Sequence, residues 1–192
     1  NKMQGALIPP QQNWMDFVAG SDFDDDSAKD VADALSDATK VFFSYLHQSN
    51  FDTEINPCFQ EVLVSIGCIQ IDEEPTSSRV PFRFTGVPAN EIKPEKPFKG
   101  IIENIHREIE VEARAIPETW PKAKIPQSLE EIIKNDEFSK QNLTISQIKD
   151  EVKGTYTLYV MWKNAILFSE PRPYKFLIAF RESVVPGEVF GR

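Results

Sequence analysis

The pattern of hydrophobic and polar positions begins with a break. Ala6-Leu7-Ile8 runs into Pro9-Pro10, which a helix interior does not accept, so a short helix end followed by an extended arm with Trp14, Phe17 and Val18 is predicted. Val31, Leu35, Ala38, Phe42 and Tyr45 then recur at spacings of three and four, with Asp33, Asp37 and Lys40 turned outward. That is a core-facing amphipathic helix, capped by Asp26 or Ser27 and ending near Gln48-Ser49-Asn50. A second helix is predicted to start within residues 53–57, with Asn56 as cap and Pro57 in the first turn. It carries Phe59, Val62, Leu63 and Ile66 and stops at Gly67.

Beyond Gly67 the period changes to two. Cys68, Ile69, Gln70, Ile71 and Asp72 open a strand, residues 75–78 turn, and Val80, Phe82 and Phe84 alternate with Pro81, Arg83 and Thr85. Pro81 marks an edge strand or its first residues. Residues 86–100, with Pro88, Pro94 and Pro97, read as an irregular connector with a tight turn at Gly100. Ile101, Ile105, Ile109 and Val111 at odd positions predict a strand, followed by a short helix within 112–121. Ser128 with Glu131 suggests a capping box over Leu129, Ile132 and Ile133; both helices read as small surface elements. Leu143, Thr144, Ile145, Ile148 and Val152 lead to Gly154. Strands at 156–162 and 166–168 then flank a hairpin tip at Asn164-Ala165, and 174–180 is a last strand. The fold class is therefore α+β, N-terminal amphipathic helices followed by mostly antiparallel strands. Residues 1–26 read as an arm or linker and 27–192 as one domain, with no repeat at a fixed period.

Composition narrows the function classes. A formal charge of -9 over 192 residues argues against a self-sufficient nucleic-acid binder, because phosphate affinity comes mainly from lysine and arginine. No apolar run reaches the length of a membrane-spanning helix, and no polybasic run suggests a membrane patch. Cys58 and Cys68, without a histidine pair beside them, define neither a disulfide framework nor a zinc site and read as buried small hydrophobes, consistent with a reducing cytoplasm.

Candidate chemistry is sparse. Spaced carboxylates from Asp22 to Asp33 invite a calcium-loop reading, but Ser27 occupies the sixth position, where the loop requires glycine. His47 and His106 lie in different elements, and the glycines form no phosphate loop. Glu and Asp are too abundant for any carboxylate pair to be diagnostic, and the aromatics follow strand or helix periods instead of interleaving with cations. No catalytic, cofactor-binding or metal residue is assigned, and residues facing DNA are unknown.

Four stretches taken in order carry a resemblance. They are Leu7-Ile8-Pro9-Pro10 with Trp14; Asp37-Ala38-Thr39, His47-Gln48-Ser49-Asn50-Phe51 and Ile66-Gly67-Cys68-Ile69-Gln70-Ile71-Asp72; Phe82-Arg83-Phe84 with Val87-Pro88, Glu91, Gly100, Ile105, Arg107 and Ala113-Arg114; and Pro186-Gly187-Glu188-Val189-Phe190-Gly191-Arg192. Together they resemble the portal, or head-to-tail connector, proteins of short-tailed bacteriophages. One departure is Gly67-Cys68-Ile69, where family members often read Gly-Thr-Gly.

The resemblance implies a structural virion protein of a prophage or phage, not an enzyme, without cofactors. It implies a wing-region fragment of a subunit in a homo-oligomeric ring, a dodecamer in the full-length protein. Stem, clip and crown are expected beyond Arg192. The implied partners are other portal subunits, capsid, terminase and tail proteins, and double-stranded DNA that passes without sequence specificity during packaging and ejection; no membrane is involved. The implied location is the capsid vertex, and the host cytoplasm during assembly. In a prophage remnant Arg192 would be a true terminus. The alternative class is a standalone acidic interaction or adaptor module using the proline-rich arm and aromatics such as Trp14; a small hydrolase is a third, with no activated nucleophile to support it.

Overall fold

The computed structural model describes residues 2–20, 25–74, 78–95 and 102–181. The elements are α1 (Lys2–Leu7), α2 (Asp25–Gln48), α3 (Phe51–Val62), β1 (Ile66–Glu73), β2 (Phe82–Val87), a 3-10 turn (Ala89–Glu91), β3 (Ile92–Pro94), β4 (Ile105–Glu112), α4 (Ala115–Thr119), α5 (Gln127–Asn135), β5 (Lys140–Lys149), β6 (Tyr156–Trp162), β7 (Ala165–Arg172) and β8 (Leu177–Arg181). The α+β class holds, with helices first and antiparallel sheet after. One sheet has the order β2-β1-β8 and the other, an antiparallel meander, the order β3-β4-β5-β6-β7. Two compact units emerge, Asn1–Gln60 with Ile69–Gly86 and Glu61–Cys68 with Val87–Arg192.

The first unit is organised by aromatic rings. Trp14 meets Phe43 edge-on at 5.4 Å and stacks with Phe51 at 6.4 Å, Phe17 meets Phe42 at 5.7 Å, and Phe51 meets Phe84 at 5.0 Å. Such pairs contribute roughly 0.5–1.5 kcal/mol beyond area burial. The arm is thus fastened to α2 and α3, helped by the Phe17 amide, which donates to Thr39 Oγ1 at 3.0 Å.

The core face of α2 differs from the predicted one. Thr39, Phe43 and Leu46 are buried, whereas Ala38 and Tyr45, expected inside, are exposed. The helix carries apolar residues over an arc wide enough for two faces, and the arm, through Trp14, covers the face centred on Phe43. Asp26 and Ser27 lie inside α2 instead of capping it.

α3 starts at Phe51, earlier than predicted, and holds Pro57 inside it. The Ser49 hydroxyl accepts from the Phe51 amide at 3.1 Å, which serves the helix start that Asn56 was expected to cap. The helix ends at Val62, leaving Leu63 exposed and Gly67 inside β1. Gly86 answers a tight approach: a Cβ there would stand 2.8 Å from the Glu54 carbonyl oxygen, and its amide donates to Glu54 Oε2 at 2.8 Å.

In the second unit, period-two alternation puts Ile105, Ile109 and Val111 of β4 on one face with Leu143, Ile145 and Gln147 of β5. Ile116 of α4 and Leu129 of α5 are fully buried with Leu143, Val160, Trp162 and Leu167, so these helices cover the sheet and are not surface elements. Each such side chain contributes roughly 1.5–3 kcal/mol relative to exposure. A second cluster joins Ile105 and Ile145 to Cys68, Val87, Ile92, Phe176, Leu177 and Ala179.

Several local expectations are corrected. No side chain caps α5: Pro126 precedes it, and Glu131 accepts from Gln127 instead of completing a box with Ser128. The connector holds edge strand β3, paired with β4 through Ile92 and Arg107. The β6–β7 turn is at Lys163-Asn164, one residue early, with Lys163 at φ 53°, and Ala165 already pairs with Trp162. Val152 projects from the β5–β6 turn. Gly100, Ile101 and residues 182–192, including the final motif, lie outside the described residues, as does most of the turn at 75–78.

Candidate functional site

The uncovered face of the five-stranded sheet carries most of the polar chemistry. His106, Glu108, Glu110 and Glu112 alternate along β4 and stand opposite Ser146, Thr144, Asn142 and Lys140 of β5. Ion pairs cross the strands: Lys93 with Glu108, and Lys140 with Glu110 at 2.7 Å, both exposed and so worth about 0–1 kcal/mol each. Arg107, on the opposite face of β4 with Ile105 and Ile109, is more enclosed and holds Glu91 at 2.8 Å. A shallow cavity of about 650 Å³ lies here, lined by Asn90, Glu91, Glu108, Glu110, Thr144 and Lys163 among others. Its carboxylates already have cations, so it is a surface for hydrogen bonding and charge matching, without an activated group.

Beside it His106 Nδ1 lies 2.8 Å from Ser146 Oγ, and Nε2 lies 3.3 Å from Glu95 Oε1. Glu95 is held by Asn104 at 2.7 Å, and the Asn104 and His106 hydrogen bonds pull its carboxyl below the usual range. Hydroxyl, imidazole and carboxylate in a row are the members of a nucleophilic relay. Ser146, however, is 1% exposed, in mid-strand, out of reach of a substrate. The array is a polar clip tying the end of β3 to β4 and β5. Only the register of β4 on β5 makes it visible, since Ser146 and His106 are forty residues apart in sequence.

A second constellation centres on Glu103. Tyr156 Oη donates to Glu103 Oε2 at 2.6 Å, Lys175 Nζ is 3.2 Å from the same oxygen and Lys149 Nζ 3.3 Å from Oε1. Burial pushes the Glu103 carboxyl up, but the tyrosine and the two lysines together outweigh it and hold the group below the usual range. Burial, then the neighbouring carboxylate, raises the Tyr156 phenol far above its ordinary value. A phenol locked neutral against a carboxylate is a fastener, not a general base.

Gln147, buried on the covered face of the sheet, completes the polar framework. Its Nε2 donates to the carbonyls of Glu103 at 2.9 Å and Leu177 at 3.2 Å, and its Oε1 accepts from the amides of Phe176 and Leu177, both at 2.8 Å. Asn50 acts alike in the first unit, donating to the Phe84 carbonyl at 2.7 Å and accepting from its amide at 2.9 Å. Gln147 did not stand out in the sequence, where the available signal was an amide on the apolar face of a strand; Asn50 entered only as the end of the amphipathic helix and as part of the stretch His47–Phe51.

The residues weighed in the sequence lie on different elements. His47 is on α2, its ring tilted against Phe43 at 5.4 Å, with both nitrogens buried and unbonded. Cys58 and Cys68 are both buried. Among the described residues no three of His, Cys, Asp and Glu gather as a metal site. Asp22 lies outside that set and Asp33 is exposed on α2. No described helix is long and apolar enough to cross a membrane.

On α2 the face opposite the arm is uncovered: Ala34, Ala38, Val41 and Tyr45 form an exposed stripe beside Asp30, Asp33 and Asp37. Among the described residues these polar groups act as frameworks and exposed surfaces. A search of curated proteins gives no match. Residues 1–153 match the model of the family described as bacteriophage head to tail connecting protein, so the chain belongs to that family of structural phage proteins of the capsid–tail junction.

Proposed function

We propose that the chain is the wing-region part of a portal subunit of a short-tailed phage. In this reading the full-length protein closes a homo-oligomeric ring, a dodecamer, at one capsid vertex, assembled in the host cytoplasm. Terminase drives DNA inward through the ring, and tail proteins receive it on ejection. Residues 1–26 serve as an arm and 27–192 as the wing-like domain. The observation that carries the reading is the family match over residues 1–153.

The charge supports it. A net -9 repels phosphates, so a duplex passing such a ring is not gripped and stays mobile. Ion pairs across the open sheet face keep that surface hydrated, as suits a protein that meets several partners in turn. The test is the solution mass of the full reading frame by light scattering, with electron microscopy of the largest species. Closed rings are expected; a compact monomer at all concentrations overturns the proposal and favours a standalone adaptor.

A further inference from the structure

Two exposed surfaces of this chain carry opposite charge around apolar side chains. On α2, Val41 (55% exposed) and Tyr45 (39%) continue a stripe whose N-terminal half is flanked by Asp30 and Asp33, about 22 Å in all at 1.5 Å per residue. Neither aspartate forms an ion pair among the described residues, although Asp33 adds to the field on Lys40, which pairs with Asp37. Pairing this stripe with its own copy in parallel would bring the aspartate rows of two helices together, which like-charge repulsion opposes, and antiparallel pairing would set the aspartates against Val41 and Tyr45, desolvating them without a cation. The stripe calls for a basic apolar counterpart.

Such a surface lies along edge strand β7. Ile166 is 54% exposed there, and the Lys124 amide donates to the Leu167 carbonyl at 2.6 Å, bringing the segment before α5 alongside the strand. Ala123 and Ile125 pack inward, so Lys122 and Lys124, both exposed, alternate outward. Neither forms an ion pair among the described residues, whereas Lys40, Lys93 and Lys140, also exposed, each face a carboxylate.

We propose that the α2 stripe of one copy docks on the β7 edge of a second copy, Asp30 and Asp33 meeting Lys122 and Lys124 while Val41 and Tyr45 cover Ile166. Because the two surfaces differ, the contact is head-to-tail, the kind that repeats around a ring when the rotation closes. It rests on the ring reading above and names the surfaces that make the ring.

The test is a charge swap in the full reading frame, with mass read by light scattering at low salt. D30K/D33K and K122E/K124E are each expected to weaken self-association about tenfold or more. An equimolar mixture of the two, or the quadruple variant, is expected to restore it. All four positions are exposed, and circular dichroism checks that the variants fold. If the native protein assembles and both double variants assemble equally well, the surfaces are wrong while the ring reading stands. If D30K/D33K alone fails, or the mixture is not rescued, α2 docks elsewhere and this proposal is overturned. A native protein that never assembles removes the ring reading and this contact with it.

Discussion

Replacing Gln147 by leucine tests the polar framework of the second unit most directly. The side chain is 0% exposed and makes four hydrogen bonds, two donated to carbonyls and two accepted from amides. Leucine has a similar volume, so little cavity forms, but two N–H and two C=O groups lose their partner in a site closed to water. At roughly 1 kcal/mol net per bond the loss is about 4 kcal/mol. The apolar side chain returns about 1 kcal/mol of transfer energy. The expected destabilisation is therefore about 3 kcal/mol.

With a urea slope of about 1.5 kcal/mol per molar, the midpoint read by far-ultraviolet circular dichroism falls by about 2 M. Gln147→Glu separates the two halves of the network. It keeps both acceptors but sets a carboxylate against the carbonyls of Glu103 and Leu177, so it is destabilised at neutral pH and recovers as the group is protonated in acid. A Gln147→Leu midpoint within about 0.5 M of the native value, or a Gln147→Glu protein indifferent to pH, would refute the reasoning.

Other outcomes follow from the same geometry. Glu103 is held below its ordinary value, so its contribution is present above the unfolded pKa of about 4.3 and fades as pH falls through the depressed folded value; the stability gap between native protein and Glu103→Gln, read by urea titration, should close in acid. Tyr156 is raised, so its contribution is complete below about pH 10 and fades above it; absorbance at 295 nm should show this phenol ionising only with unfolding, a late step that Tyr156→Phe removes. Gly86→Ala forces a methyl group against the Glu54 carbonyl and should cost about 2 kcal/mol by thermal or urea melting. Asn50→Asp keeps the bond from the Phe84 amide but loses the one to its carbonyl, and should lie between the native protein and Asn50→Leu in urea midpoint.

Much of this fold was legible because its elements have one dominant period. β4 was readable from Ile105, Ile109 and Val111, since a strand with one covered face must alternate. α2 was readable as a helix but not in its orientation: Phe42 and Phe43 are adjacent, and which of two apolar faces is covered depends on where the arm and α3 lie. Pro57 misled because proline is commonest in a first turn, whereas here packing of Ile55, Cys58 and Phe59 sustains the helix through it. α4 and α5 looked peripheral because they are short, yet Ile116 and Leu129 are buried by the sheet they cover.

The polar constellations were the least legible part, and the reason is physical. Glu103, Lys149, Tyr156 and Lys175 meet only after β5 and β6 have paired and the chain has returned past β7, so no spacing in the sequence encodes the cluster. Asn50 and Gln147 are harder still, because each uses its amide as a substitute peptide group. Side-chain carbonyl and N–H₂ meet the N–H and C=O of one strand residue, Phe84 or Leu177, as a neighbouring strand would. A buried strand edge without a neighbour, as on the outer strands β2 and β8, must find such a partner, since an unpaired backbone group there costs as much as a lost hydrogen bond. These substitutions mark where the framework has to stay in register.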